Sequence, residues 1–244
     1  MENLLEIKDV SNVLGGTLIH EHLNLEVKKG TIMAIIGSSG AGKTTLLQNL
    51  LMLLKPTQGS IHMFGEDIVS CSEKVAQQVR QRFGVMFQQC ALFSNLTVLE
   101  NILFPIKQFS RLDSDFAKSL GMLKIRLAGL PESAAHKYPS ELSGGMLKRA
   151  AAARAIALDP ELLLLDEPTS GLDPKSTVDF DDLIMQLRDM LGLTIVMITH
   201  DVHSLFHVAN QVAFLGEKQV LACGTLKEVK QNPHPLIQSY FGES

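Results

Sequence analysis

A chain of 244 residues, 45% of them apolar, suffices for one large α/β domain or a domain with an inserted subdomain, and it should fold without staples. A net charge of −4 with both signs interspersed excludes the basic footprint of a nucleic-acid binder, so no nucleic acid is expected as a partner. No uncharged apolar run approaches the roughly 20 residues that span a bilayer, which places any membrane role outside the lipid.

Three scattered cysteines, Cys71, Cys90 and Cys223, lack metal-ligand spacing and read as free buried thiols in a reducing cytosol. The opening Met-Glu-Asn shows no basic-then-apolar leader pattern.

Taken in order, Leu4–Val10 and His22–Val27 read as strands, the second with Leu23, Leu25 and Val27 on one face. The apolar run Thr31–Ile36 then feeds Gly37-Ser38-Ser39-Gly40-Ala41-Gly42-Lys43-Thr44, followed by Thr45 and a helical segment through Leu50. Strand, glycine loop and helix in this order form an anion cradle, because glycines let several backbone N–H groups converge where the helix dipole adds positive charge. Lys43 is placed to reach the β- and γ-phosphates of a nucleoside triphosphate, the Thr44 hydroxyl to complete the shell of a Mg²⁺ ion, and Thr45 to assist on the α-phosphate side.

Lys55–Gly59 reads as a turn, Ser60–Phe64 and Phe83–Phe87 as short strands, and Ser72–Gln81 as a polar helix. From about residue 89 to 139 helical patterns replace the β-branched runs. Thr97-x-x-Glu100 is a capping-box signature, Asp115–Leu127 repeats apolar residues at helical spacing, and the segment is read as a helical subdomain inserted in the α/β core. An alanine-rich helix near Gly144–Leu158, a strand Leu162–Leu165, a helix Lys175–Met190, a strand Thr194–Thr199 and a short helix from Val202 continue the core. Strands Gln211–Leu215 and Gln219–Ala222 follow, then Thr225-x-x-Glu228 caps a last helix before a polar, proline-punctuated tail. That tail either regulates or braces a dimer, or merely caps the fold.

Leu162–Leu165 ends in Asp166-Glu167, two carboxylates at the C-terminal end of a core strand, where ligands of open α/β sheets sit. Asp166 suits Mg²⁺, directly or through water, and Glu167 suits a base that polarises water. Adjacent strand residues point to opposite sides, so Glu167 must lie where the strand breaks, as Pro168 favours. His200 occupies another strand end and could hydrogen-bond a γ-phosphate. Ser143-Gly144-Gly145 opens the alanine-rich helix as a second anion-facing helix start. A head-to-tail homodimer would let that start close over a nucleotide held by the other copy.

The glycine loop, Gln88, Leu142–Gly145, Asp166/Glu167, Ser170-Gly171-Leu172-Asp173 and His200 together resemble, in order, the nucleotide-binding subunit of ATP-binding cassette (ABC) transporters. The resemblance spans essentially the whole chain. It implies a P-loop NTPase of the ABC ATPase type, with a RecA-like core at residues 1–88 and about 140–225, an N-terminal antiparallel β part, the helical insertion at about 89–139, and a tail at about 226–244. It implies ATP and Mg²⁺ as cofactors, Gln88 as the loop glutamine linking nucleotide state to the helical subdomain and helping to hold the metal, Asp173 as a dimer contact, and Ser143–Gly145 as a signature acting in trans. Leu-Ser-Gly-Gly-Met at residues 142–146 looks most like the Mla and Mce-associated lipid-transport group. That likeness implies an integral-membrane permease, an Mce-type substrate-binding protein and a candidate STAS-domain protein as partners, at the cytoplasmic face of the inner membrane.

By the same likeness the apolar stretch of Leu92, Phe93, Leu96, Val98, Ile102 and Phe104 faces the permease, ordinary helical core being the competing reading. Leu14 stands where the family usually has an aromatic that stacks on adenine. Such stacking is worth roughly 1–3 kcal/mol, so loose base discrimination is expected. The rival readings are another transporter branch, such as lipoprotein release or amino-acid uptake, and a soluble ABC ATPase of iron–sulfur assembly.

Overall fold

A computed structural model describes residues 2–242. The chain divides into two compact units, Met1–Arg80 with Val196–Ser244, and Gln81–Ile195. The expected extent of 1–244 includes Met1, Glu243 and Ser244, which lie outside the described residues.

In the first unit, β1 (Asn3–Leu14) and β2 (Thr17–Lys28) pair antiparallel, and β4 (Gln58–Met63) and β5 (Glu66–Asp67) extend them into a sheet of order β2-β1-β4-β5. Both long strands run several residues beyond their expected ends. Register shifts between Ile7 and Asn12 keep Ile7 and Val10 buried despite the uneven spacing. Leu23, Leu25 and Val27 are buried at alternate positions of β2, as the pattern requires.

The cradle strand β3 (Ile32–Ile36) is buried at every position, as befits a strand covered on both faces. It pairs in parallel with β9 (Gln211–Gly216), which turns back antiparallel into β10 (Gln219–Gly224). The strand β8 (Thr194–Ile198), whose last three residues belong to this unit, is the other neighbour of β3. Helix α1 (Lys43–Leu50) follows the glycine loop, and α7 (Val202–Val208), α8 (Leu226–Lys230) and α9 (Pro235–Gly242) complete the unit after α2 (Glu73–Gln81).

The C-terminal segment differs from the polar tail expected. Ile237 and Phe241 of α9 are buried and join Ile36, Leu205, Val212, Phe214 and Val229 in one apolar cluster, with Tyr240 edge-on to Phe214 at a centroid distance of 5.4 Å. Fully burying aliphatic and aromatic groups of this size contributes about 1.5–3 kcal/mol each, so α9 is part of the core. Cys223 corrects a second expectation: it is exposed, Cys71 is half-buried, and Cys90 alone is buried. Its place on β10, a strand at the sheet's end with outward-facing positions, accounts for that.

The second unit pairs β6 (Phe83–Met86) in parallel with β7 (Leu162–Asp166). Between them lie α3 (Val98–Phe109), α4 (Ser114–Leu127), two 3₁₀ turns at Glu132–His136 and Pro139–Glu141, and α5 (Gly144–Ala155), with α6 (Pro174–Leu191) after β7. Thr97 closes the anticipated capping box with Glu100. Ala150 and Ala153 of α5 pack with Val98, Ile102, Ile106 and Ile125, small side chains that let helices approach closely.

Candidate functional site

The glycine loop needs its glycines for two separate reasons. Gly37 has φ 149°, and a Cβ there would run into the Leu215 carbonyl oxygen of β9; Gly42 has φ 93°, and a Cβ there would strike the His20 ring. Gly42 is also the N-cap of α1 and supplies no side-chain cap, so the first N–H groups of the helix are left for an external acceptor. A phosphate fits that arrangement. Ser38, Ser39, Gly40 and Thr44 are exposed, and Ala41, Lys43 and Thr45 are half-buried. The Lys43 ammonium donates to the carbonyls of Gly37 at 2.7 Å and Ser38 at 2.9 Å, so the mobile cation foreseen from sequence rests on its own loop.

Beneath the loop is a polar network that the sequence reading missed. Asn12 Nδ2 donates to Asn49 Oδ1 at 2.8 Å and lies 3.0 Å from His20 Nδ1, and Asn49 Nδ2 donates to the Leu54 carbonyl at 2.8 Å. All three side chains are buried, and burial holds the His20 pKa below the usual imidazole value. Because an amide nitrogen can only donate, His20 Nδ1 is the acceptor in its contact with Asn12, and Nε2 is turned toward Gly42. In the same unit His200 follows β8 and is exposed, with the Thr199 hydroxyl accepting from Asp201 N at 3.0 Å. Leu14 ends β1 half-buried, beside an exposed Val13.

In the second unit, Asp166 closes β7 and Glu167 breaks it with φ 46°, a left-handed conformation that ends the strand's alternation there. Both are half-buried. Gln88 is exposed, and its Nε2 donates to Ser170 Oγ at 3.2 Å, joining the segment after β6 to the one after Glu167. Ser143 is the N-cap of α5 and its Oγ accepts from Met146 N at a long 3.3 Å; Ser143 and Gly144 are exposed and Gly145 is half-buried. Asp173 caps α6 by accepting from both the hydroxyl and the N–H of Ser176, and the Ser176 hydroxyl leads in holding its carboxyl below the ordinary aspartate value. The apolar stretch divides in two: Val98 and Ile102 are core, while Phe93 and Phe104 are about two-fifths exposed at 42% and 46% and stack with centroids 4.8 Å apart.

The sequence reading also missed Lys148 and Arg154 of α5, whose donors close on the carbonyls of Gln88, Cys90, Ala91 and Glu167. The sequence offered no signal to single them out: α5 carries three cations, Lys148, Arg149 and Arg154, and which of them turn inward is decided by the fold.

Comparison with known proteins bears on this arrangement. Residues 20–170 match the family model described as ABC transporter. The intermembrane phospholipid transport system ATP-binding protein MlaF of Haemophilus influenzae is 41% identical over 244 residues, covering 100% of this chain and 92% of that protein. MlaF of Escherichia coli K12 is 38% identical over 239 residues, 98% of this chain and 88% of its own length. Among solved structures, the dimeric post-hydrolysis state of the ATP-binding cassette MJ0796 bound to ADP and Pi superposes with a TM-score of 0.82 at 30% identity, covering 91% of this chain and 98% of that one.

Proposed function

Because the chain belongs to the ABC transporter family, with the ABC ATPase fold and as an ATP-binding, ATP-hydrolysing subunit, we propose that it drives phospholipid transport between membranes. In this reading it works as a homodimer on the cytoplasmic face of an inner membrane, docked to a permease and joined by an Mce-type substrate-binding protein and a STAS-domain protein. Similarity to MlaF over nearly the whole chain, at 41% and 38% identity, supports the lipid cargo. Among the described residues no helix is long and apolar enough to cross a membrane, which fits a subunit that needs a separate permease.

The observation behind the nucleotide chemistry is the glycine-opened start of α1, where two positions exclude any Cβ and no side chain caps the helix. Residues Gly37–Thr45 wrap the phosphates, and Lys43 exchanges its two loop carbonyls for the β- and γ-phosphate oxygens. Thr44, Asp166 and Gln88 would hold Mg²⁺, which when bound would supply positive charge against the phosphates. Glu167 orients and polarises the attacking water as general base, and His200 donates to the γ-phosphate. The side chain of Leu14 lies against adenine.

Ser143, Gly144 and Gly145 complete the site of the other copy, and Asp173 contacts that copy's loop. Two copies close on ATP because each γ-phosphate gains the partner's helix start, and hydrolysis removes that gain. Residues 89–139, as an inserted helical subdomain, carry the motion outward through Gln88, with the exposed Phe93 and Phe104 pair receiving the permease.

Isolation of the native complex from membranes tests the cargo and partner reading. The expected companions are a permease and bound phospholipid. Recovery with an amino-acid uptake permease, or wholly in soluble assemblies, would overturn it.

A further inference from the structure

Helix α5 begins at Ser143 and, one turn along the face of Gly144, carries Lys148 with only 5% of its surface exposed. Its ammonium donates to the Gln88 carbonyl at 2.8 Å and to the Glu167 carbonyl at 3.4 Å. Further along the same helix, the Arg154 guanidinium donates to the Ala91 carbonyl at 2.7 Å and the Cys90 carbonyl at 3.0 Å. One helix thus grips both the segment after β6 and the break after β7.

Both gripped segments have backbone that ordinary residues resist. Glu167 has φ 46°, Cys90 φ 62° and Ala91 φ 50°, all left-handed at non-glycine positions. Such conformations persist when surrounding bonds over-determine them, and here the donors that do so come from the buried Lys148 and the half-buried Arg154. A neutral or apolar side chain at 148 would leave the Glu167 carbonyl without this donor. It would also remove the direct tie between Glu167 and Gln88, leaving the longer route through Ser170 and the alanine packing of α5.

The case for a charged donor is geometric: both contacts of the buried ammonium are to backbone carbonyl oxygens, to which a charged N–H bonds about twice as strongly as a neutral one. A desolvated ammonium held by two carbonyls is costly to build, and its geometry is correspondingly specific.

We propose that Lys148 is a positioning residue that fixes the backbone of Glu167 relative to Gln88 and the Ser143 helix start, so that the catalytic carboxylate aligns only when all three are in register. This rests on the roles given above to Glu167, Gln88 and Ser143. It goes beyond them in assigning the link to one buried cation outside the glycine loop, the carboxylate pair and the serine-glycine segment.

The test is steady-state hydrolysis and direct ATP binding by Lys148→Met, Lys148→Arg and Glu167→Gln in the full chain. A misplacement of the order of 1 Å at a reacting group costs up to about 100-fold in rate, so Lys148→Met should lose about 10- to 100-fold in kcat while its ATP Kd stays within about twofold. Lys148→Arg, which keeps a charged donor, should recover to within about threefold of wild type. If Lys148→Met fails to bind nucleotide or to melt cooperatively, the same criterion passes to Lys148→Gln. A folded, nucleotide-binding neutral variant with kcat within about twofold of wild type overturns the inference, as does an equal loss in Lys148→Arg. Glu167→Gln separates the two levels: if it turns over normally, the assigned base is wrong, whereas a dead Glu167→Gln beside a fully active Lys148→Met condemns only the positioning role.

Discussion

Three helices in this protein start in three different ways. Helix α1 opens on Gly42 with no side-chain cap, α5 on Ser143 with one long hydrogen bond to Met146 N, and α6 on Asp173 with two acceptor contacts to Ser176. A carboxylate at a helix start satisfies the dipole from within and repels an incoming anion; a serine satisfies it weakly; a glycine leaves it open. The gradation teaches that anion binding is assigned by what the cap leaves unsatisfied. By that measure we propose α1 as the primary phosphate site, α5 as a start stable enough to exist alone yet available to a phosphate, and α6 as a structural terminus whose aspartate serves contact.

The comparison can be pressed hardest by stopping the chemistry. Removing the base in Glu167→Gln should lower turnover by about 100- to 10,000-fold, the usual contribution of general base catalysis, with ATP binding retained and closed dimers accumulating on sizing columns. Wild-type turnover would mean that the carboxylate at the strand break is not the base. Next in size is the open start itself. Lys43→Ala removes a charged donor worth about 1.5–3 kcal/mol, so ATP affinity should fall roughly 10- to 150-fold in calorimetry, and an unchanged Kd would shift the phosphate elsewhere.

Smaller effects sharpen the contrast between α1 and α5. Ser143→Ala removes the cap and should cost about 0.5–2 kcal/mol of stability by thermal melting while weakening ATP-driven dimerisation more than ATP binding by the monomer. Equal losses in both would deny α5 its role across the dimer. The smallest effect concerns the base: with Leu14 in place of a stacking ring, the kcat/KM preference for ATP over GTP should stay below about tenfold, or about 1.4 kcal/mol, and Leu14→Tyr should widen it. A strong preference in the unmodified protein would place adenine recognition elsewhere.

How legible this was depended on how far apart in sequence the causes lie. The glycine loop between Thr31–Ile36 and its helix, the Thr97/Glu100 and Thr225/Glu228 capping boxes, and the break at Glu167 before Pro168 are local, each written within a few residues. The two-residue strand β5 lacks enough alternation to announce itself. The burial of Ile237 and Phe241 was hidden because α9 is short and flanked by polar residues, and only its packing against Leu205 and Phe214 makes it core.

The same holds within the candidate site. The roles proposed for Asp166, Gln88 and Ser143 come from their place in a recurring order, from which the ties among them could not be read. Lys148 meets Gln88 across 60 residues and Glu167 across 19, and Asn12 meets Asn49 across 37. No periodicity or spacing rule addresses such pairs. A lysine inside an alanine-rich helix reads as solvated until the fold shows that it is buried.

A structure of Glu167→Gln with Mg-ATP tests the central claim most directly, by locating Ser143 of each copy relative to the γ-phosphate bound at Lys43 of the other. The account predicts a head-to-tail dimer with Ser143 and the Gly144 and Gly145 amides within hydrogen-bond distance of that phosphate. ATP held by Lys43 with every Ser143 remote from it, or a dimer joined through another face, would contradict it.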